Sequence, residues 1–259
     1  MAVVLLGNGA VLGKLFIDKQ VQYHKNTVSV NELKDSAVQI DFDFAGSGSD
    51  DIFQNVGDKV NQDPSPLHVD YDELHATSKY AIGWLYQPDT EINYPVGQAE
   101  DNSYFIDHLL NGSYNLNGTL FLDCNNDRTF MDQNSIIYGH HMSNGAMFCG
   151  LTRYTARNGQ KYYDDHPVLY LSTEQQDYRL EIVSVFVTKD QSDAYKKSFA
   201  TQDSYGEWLD EMMNKSVVKV TKKANINDNL VTLSTCSYEF ADARTVVMCR
   251  MVPLSRTPA

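Results

Sequence analysis

Beyond about residue 78 the apolar positions fall into short runs broken by turn residues. Runs at 81–86, 118–123, 135–138, 168–171, 178–188, 230–234 and 245–252 are rich in β-branched and aromatic residues and predict strands. In the long run 178–188, strand alternation puts Leu180, Ile182 and Phe186 on one face, while Arg179 and Glu181 begin the other. Asn111-Gly112, Asn117-Gly118, Asn144-Gly145 and Asn158-Gly159 read as tight turns, because Asn-Gly accepts positive φ. One segment has a helical period instead. Trp208, Leu209, Met212 and Met213 form an apolar stripe, and Ser204 with Glu207 predicts a capping box at its start. Many short strands with one or two helices predict a mainly β fold, closed or nearly closed into a barrel.

The first third of the chain has a different texture. Residues 1–17 are mostly apolar, but a spanning helix needs about 20 such residues, and Asn8 and Lys14 interrupt the run. It has no basic leader and no small-residue cleavage site, so it is a poor signal peptide. We read it as the remnant of an N-terminal membrane anchor in preference to an ordinary buried segment. Residues 18–34 are polar and mixed in charge, as a juxtamembrane helix would be. The acidic Gly/Ser stretch 41–51 predicts a linker or exposed loop. The expected organisation is therefore an anchor remnant (1–17), a helical and linker segment (18–77), a barrel domain (78–254) and a tail (255–259).

Composition narrows the function. With 42% hydrophobic residues among 259, the chain can bury a sizeable core and is not a disordered protein. A net charge of −13 argues against nucleic acid as a partner, since phosphate binding needs a basic surface. Cys124, Cys149, Cys236 and Cys249 are too sparse for a disulfide scaffold and lack zinc spacing. The stretch from Asp123 resembles a Ca²⁺ loop only briefly: Arg128 replaces the invariant Gly and Asn134 the terminal Glu. No cofactor or metal is expected.

Three residues could carry chemistry together. Cys236 ends the apolar segment from Val231 and so sits at the C-terminal end of a predicted strand. His140 follows the strand at 135–138, and Arg244 begins the last strand. A thiolate can attack a carbonyl, an imidazolium can protonate a leaving amine, and a guanidinium can stabilise the developing oxyanion. Neighbouring residues on a strand face opposite ways, so only one of His140 and His141 can face Cys236. Arg250 lies six residues beyond Arg244, about 20 Å along a regular strand, and reads as a salt-bridge or surface residue. Cys124 and Cys249 read as strand residues without chemistry.

Thr232-Leu-Ser-Thr-Cys236 followed by Arg244 closely resembles the TLxTC…R signature of sortases, and Tyr138-Gly-His140 resembles their His motif. Asn134-Ser-Ile-Ile-Tyr-Gly-His-His-Met142 is close to the class B form. The Trp84–Val96 stretch, Asp101–Tyr104 and Gly118–Asp123 match its earlier stations, and the Trp208 helix lies where class B enzymes insert a long helix before the nucleophile strand. The resemblance spans about 81–253. It implies a sortase-type closed β-barrel with an N-terminal helical subdomain and cysteine transpeptidase activity on a Gram-positive cell surface. Such enzymes cleave a sorting motif after its Thr, hold the product as a thioester and pass it to an amine of the cell-wall peptide. Class B enzymes favour NPxTN-like motifs. The implied partners are surface proteins bearing a sorting signal and a peptidoglycan amine, with the membrane reached through an N-terminal anchor on its extracytoplasmic face.

The resemblance makes Cys236 the nucleophile, His140 the general acid/base and Arg244 the oxyanion or substrate stabiliser. It favours His140 over His141, which reads as a surface or loop residue. Tyr138, Ser234, Thr235, Asn102, Ile106, Thr188 and Tyr195 match positions lining the class B substrate groove. Ser237 stands where a Glu often follows the Cys; its backbone N–H is expected to be available to an oxyanion. A hydrolytic cysteine peptidase with the same residues, and a non-catalytic barrel binding wall peptides, are the alternatives.

Overall fold

The computed structural model describes residues 2–41 and 63–256. In chain order, α1 (Ala2–Ala37) leads into β1 (Val38–Ile40). Then come β2 (Leu67–Val69), α2 (Tyr71–Thr77), β3 (Ala81–Tyr86), β4 (Asn93–Gly97), β5 (Leu120–Leu122) and β6 (Asn134–Tyr138). The chain finishes with α3 (Gly159–Asp165), β7 (Val168–Thr173), β8 (Asp177–Lys189), α4 (Gln202–Asn214), β9 (Leu230–Cys236) and β10 (Ala243–Leu254). Strands β3 to β10 close into a barrel in the order β10-β8-β7-β3-β4-β5-β6-β9. Closure pairs every strand edge, which removes the exposed ladder an open sheet would leave.

Every barrel strand predicted from the pattern is present, and β4 is the barrel strand the pattern missed. Its Pro95 has no N–H to give a ladder, which argues against a strand from sequence. Here Pro95 pairs opposite Trp84 on β3, and the other edge of β4 meets β5 over only Val96↔Leu120 and Gly97↔Phe121.

The alternation expected along β8 breaks at a bulge. Met248 on β10 faces Ser184, but the next residue, Cys249, faces Ile182, so Val183 is left over. An extra residue on one strand reverses the facing of everything beyond it. Leu180, Ile182 and Val185 consequently face the barrel interior, whereas Val183 and Phe186 turn outward. Phe186 therefore does not share a face with Leu180 and Ile182.

Outward-facing Val183, Phe186, Leu230, Val246 and Met248 receive Tyr205, Trp208, Leu209 and Met212 of α4. Burying each such side chain stabilises by about 1.5–3 kcal/mol, which fixes α4 on the barrel wall. The helix starts earlier than expected: Thr201 and Ser204 form the capping box, not Ser204 and Glu207. The Asn-Gly reading holds at Gly112, Gly118 and Gly145, all at positive φ. The fourth pair instead opens α3, with Asn158 as its cap residue.

Leu33 and Ala37 of α1 bury against Leu74, Trp84, Phe105 and Phe121, so the C-terminal end of α1 is seated on the barrel. Antiparallel β1 and β2 tie the same region together. Among the described residues, no helix is long and apolar enough to cross a membrane. Most of the linker expected at 41–51 lies outside the described residues, as does the tail beyond 256.

Candidate active site

The site is set by strand register. Arg244 stands opposite Cys236 across β9–β10, and Thr188 stands opposite Arg244 across β8–β10. On the other side of β9, Tyr138 of β6 runs alongside Ser234. Gly139 N donates to Ser234 O at 3.1 Å, extending this parallel ladder past the end of β6. His140 is thereby carried to the same end of the strands as Cys236. A Cβ on Gly139 would stand 2.4 Å from Leu120 Cδ2 and 2.7 Å from Phe148 Cδ2, so only glycine lets the chain leave β6 this closely packed. Adjacent strands lie about 4.8 Å apart, so the backbones of Arg244, Cys236 and the strand leading to His140 stand side by side.

Side chains two apart on a strand share a face. Tyr138, Ser234, Cys236, Arg244 and Thr188 therefore lie on the outer face of the barrel. Thr235 does not join them. Its side chain faces the interior, is 1% exposed, and its Oγ1 has no hydrogen-bond partner. Ser237 also differs from expectation: its N–H already donates to Ala243 O at 2.9 Å and is not free for an oxyanion.

Cys236 is a free, partly exposed thiol. Arg244 Nη1 donates to Ala243 O at 3.0 Å, and its Nη2 lies 3.7 Å from Asp190 Oδ2. Arg250 is engaged elsewhere, donating from Nε to Glu181 Oε2 at 2.7 Å. Cys249 is buried, and burial pushes its thiol far up, which leaves it inert.

The two histidines both face carbonyl oxygens. His140 Nε2 is 2.7 Å from Ile106 O, and His141 Nδ1 is 3.0 Å from Cys236 O. A carbonyl only accepts, so each of these nitrogens carries a proton. In His140 this leaves Nδ1 as the nitrogen not turned to that carbonyl. His141 does lie in the loop after β6, but it is not idle there: its ring also packs on Tyr238, with centroids 5.2 Å apart. It ties the His segment to the backbone of Cys236. Strand alternation could not reveal this, because the chain has already left β6.

Two segments flank the outer face. One carries Asn102 and the 3₁₀ turn Tyr104–Ile106; the other carries the 3₁₀ turn Asp193–Tyr195 and continues to Lys197. Tyr195 OH shares a hydrogen bond with Ser234 Oγ at 2.9 Å, and its ring stacks on Tyr138 at 6.1 Å. Burial raises the Tyr195 phenol above its ordinary value, so it stays neutral. Asn134, fully buried, donates to Ala194 O at 3.1 Å and Lys196 O at 2.9 Å, stitching the second segment to β6. Sequence reasoning gives Asp123, Lys197, Asn134 and Asp190 no place in the site, because each is a common polar residue whose site partners lie well away along the chain.

A family model of the sortase domain matches residues 85–252. The chain belongs to the sortase family, the cysteine transpeptidases that anchor surface proteins to the cell wall. Within it the likeness is to class B. Sortase B of Listeria monocytogenes serovar 1/2a is 31% identical over 182 residues, covering 70% of this chain and 73% of that protein. Among solved structures, sortase B of Bacillus anthracis in complex with AAEK1 superposes with a TM-score of 0.72 at 26% identity, covering 90% of this chain and 99% of that one. Staphylococcus aureus sortase B gives a TM-score of 0.67 at 27% identity, covering 71% and 87%. Other sortase B structures are a Staphylococcus aureus substrate complex and a complex with triglycine.

Proposed function

We propose that this class B sortase cleaves an NPxTN-like sorting motif after its Thr and transfers the acyl group to a cell-wall peptide amine. The carrying observation is the register that sets Arg244 opposite Cys236 beside the strand leading to His140. Cys236 thiolate attacks the Thr carbonyl carbon, and the oxyanion forms against Arg244. The C–N bond breaks as His140 gives its proton to the departing amine, leaving a thioester on Cys236. The acceptor amine then attacks the thioester, His140 takes back a proton, and the thiolate leaves. Asn102, Ile106, Tyr138, Thr188, Tyr195 and Ser234 hold the motif across the outer face.

The sortase B complex with triglycine supports a glycine-type amine as acceptor, and the Staphylococcus aureus substrate complex supports a peptide donor. We assign the enzyme to the extracytoplasmic face of the membrane, held by an N-terminal anchor. Mass spectrometry of an NPQTN peptide incubated with the enzyme, with and without triglycine, tests the reaction. A ligated peptide is expected with triglycine. Hydrolysis alone at every triglycine concentration would leave a cysteine peptidase instead.

A further inference from the structure

We infer that Asp123 is a positioning residue that sets the hydrogen-bonding polarity of the substrate face by holding Asn102, Tyr138 and Lys197 on one buried carboxylate. The inference rests on the proposed role of Asn102 and Tyr138 in binding the sorting peptide.

Asp123 follows β5, and its N–H donates to Ile136 O at 2.8 Å, which places it on the same outer face as Phe121 and Tyr138. It is 3% exposed. Oδ2 accepts from Tyr138 OH at 3.1 Å and Asn102 Nδ2 at 3.0 Å. Oδ1 accepts from Lys197 Nζ at 3.0 Å and from Asn125 N at 2.9 Å. One carboxylate thus joins the Asn102 segment, β6 and the Lys197 segment, the two flanks and the floor of the site.

An ionised carboxylate only accepts, and that fixes everything bonded to it. Tyr138 must spend its proton on Asp123, so only its oxygen lone pairs remain. Asn102 must present its nitrogen to Asp123, and its Oδ1 is taken by Cys124 N at 2.7 Å. One N–H of Asn102 remains. The substrate therefore meets a donor from Asn102 and an acceptor from Tyr138, the complement of an amide, which offers one C=O and one N–H. Lys197 supplies the countercharge that keeps the buried carboxylate ionised. Without the carboxylate the Tyr138 hydroxyl would rotate to either sense, whereas the Asn102 amide is held by Cys124 N and Asp123 together.

Steady-state cleavage of a fluorogenic NPQTN peptide tests this. Asp123→Asn introduces a donor where there was only an acceptor. It is expected to raise KM about tenfold, while kcat and the rate of Cys236 alkylation by iodoacetamide stay within twofold. Adding Tyr138→Phe to it should then cost less than a further twofold, although Tyr138→Phe alone raises KM severalfold. Lys197→Met keeps the Asn102 and Tyr138 bonds and serves if Asp123→Asn folds poorly: its KM should climb on acidification through a range where the unaltered enzyme is flat. Equal losses in KM, kcat and alkylation, full additivity with Tyr138→Phe, or a flat KM in Lys197→Met overturns the assignment. Should the unaltered enzyme cleave no such peptide, the proposed substrate falls first. The amide of Cys124 then decides: faster hydrogen exchange in Asp123→Asn supports the inference, and unchanged exchange overturns it.

Discussion

Arg244 faces Cys236 directly across the β9–β10 ladder, and its guanidinium is braced by Ala243 O at 3.0 Å. A backbone ladder, not a loop, sets Arg244 opposite Cys236. Lysine has a single ammonium and cannot reproduce the planar fork. Arg244→Lys is expected to lower kcat for peptide cleavage by about 10²–10³, the scale of losing an oxyanion donor, with an unchanged melting temperature. Loss of less than about threefold would remove Arg244 from the reaction.

The two histidines should separate cleanly. His140→Ala is expected to cost about 10²–10⁴ in kcat/KM, the range of general acid–base catalysis. His141→Ala removes one hydrogen bond to the Cys236 carbonyl and should cost about tenfold, with partial recovery in His141→Asn, whose amide can still donate. Turnover needs a thiolate and an imidazolium together, so kcat/KM against pH should be bell-shaped. A reversed order of the two alanine variants, measured under identical conditions, would transfer the acid/base role to His141.

The thiols should react unequally. Cys236 is partly exposed, whereas Cys249 is fully enclosed by the barrel and its thiol is pushed far up by burial. Iodoacetamide at neutral pH should modify Cys236 in the native protein and reach Cys249 only after unfolding. Peptide mapping by mass spectrometry reads this, and native labelling of Cys249 would contradict its enclosure.

Asp123 gives a signed pH prediction. Desolvation works against its charge, but the Asn125 N–H, Lys197 and the Tyr138 hydroxyl outweigh it and hold the carboxyl below its ordinary 3.8. A depressed folded-state value stabilises the fold above 3.8, and that stability is lost as pH falls further, through the folded value. Between about pH 5 and pH 2 the unaltered protein should therefore lose more stability than Asp123→Asn. Urea midpoints at fixed pH measure this, and parallel losses in the two proteins would contradict it.

Asn134 has no contact with the reacting groups, yet its amide holds Ala194 and Lys196 and accepts from Thr232 Oγ1 at 2.6 Å. Asn134→Ala leaves the Ala194 carbonyl and the Thr232 hydroxyl unpaired in a buried site and unpairs the part-buried Lys196 carbonyl. It should destabilise by about 2–4 kcal/mol, since each unpaired buried group costs about 1–3. A calorimetric melting temperature within about 1 °C of the unaltered protein would sink this.

How far the sequence can be read depends on how local each interaction is. The strands predicted at 81–86, 230–234 and 245–252 are real because alternation and β-branching act within a few residues. Alternation alone gives Phe186 the wrong face, because the bulge at Val183 exists only relative to β10. Pro95 hides β4, whose pairing is a property of its neighbours.

By itself the sequence determined the strand-rich pattern, the α4 stripe, and the Cys236, His140 and Arg244 motifs. Those signals are carried by residue type at short spacing. Tertiary structure decided which side chains meet. It turned Thr235 inward, spent the Ser237 N–H on Ala243, drew His141 onto the Cys236 carbonyl, and gathered Asn102, Tyr138 and Lys197 on Asp123. Each depends on strand register or on a buried polar group finding a partner far along the chain, and neither leaves a periodic trace in the amino-acid order.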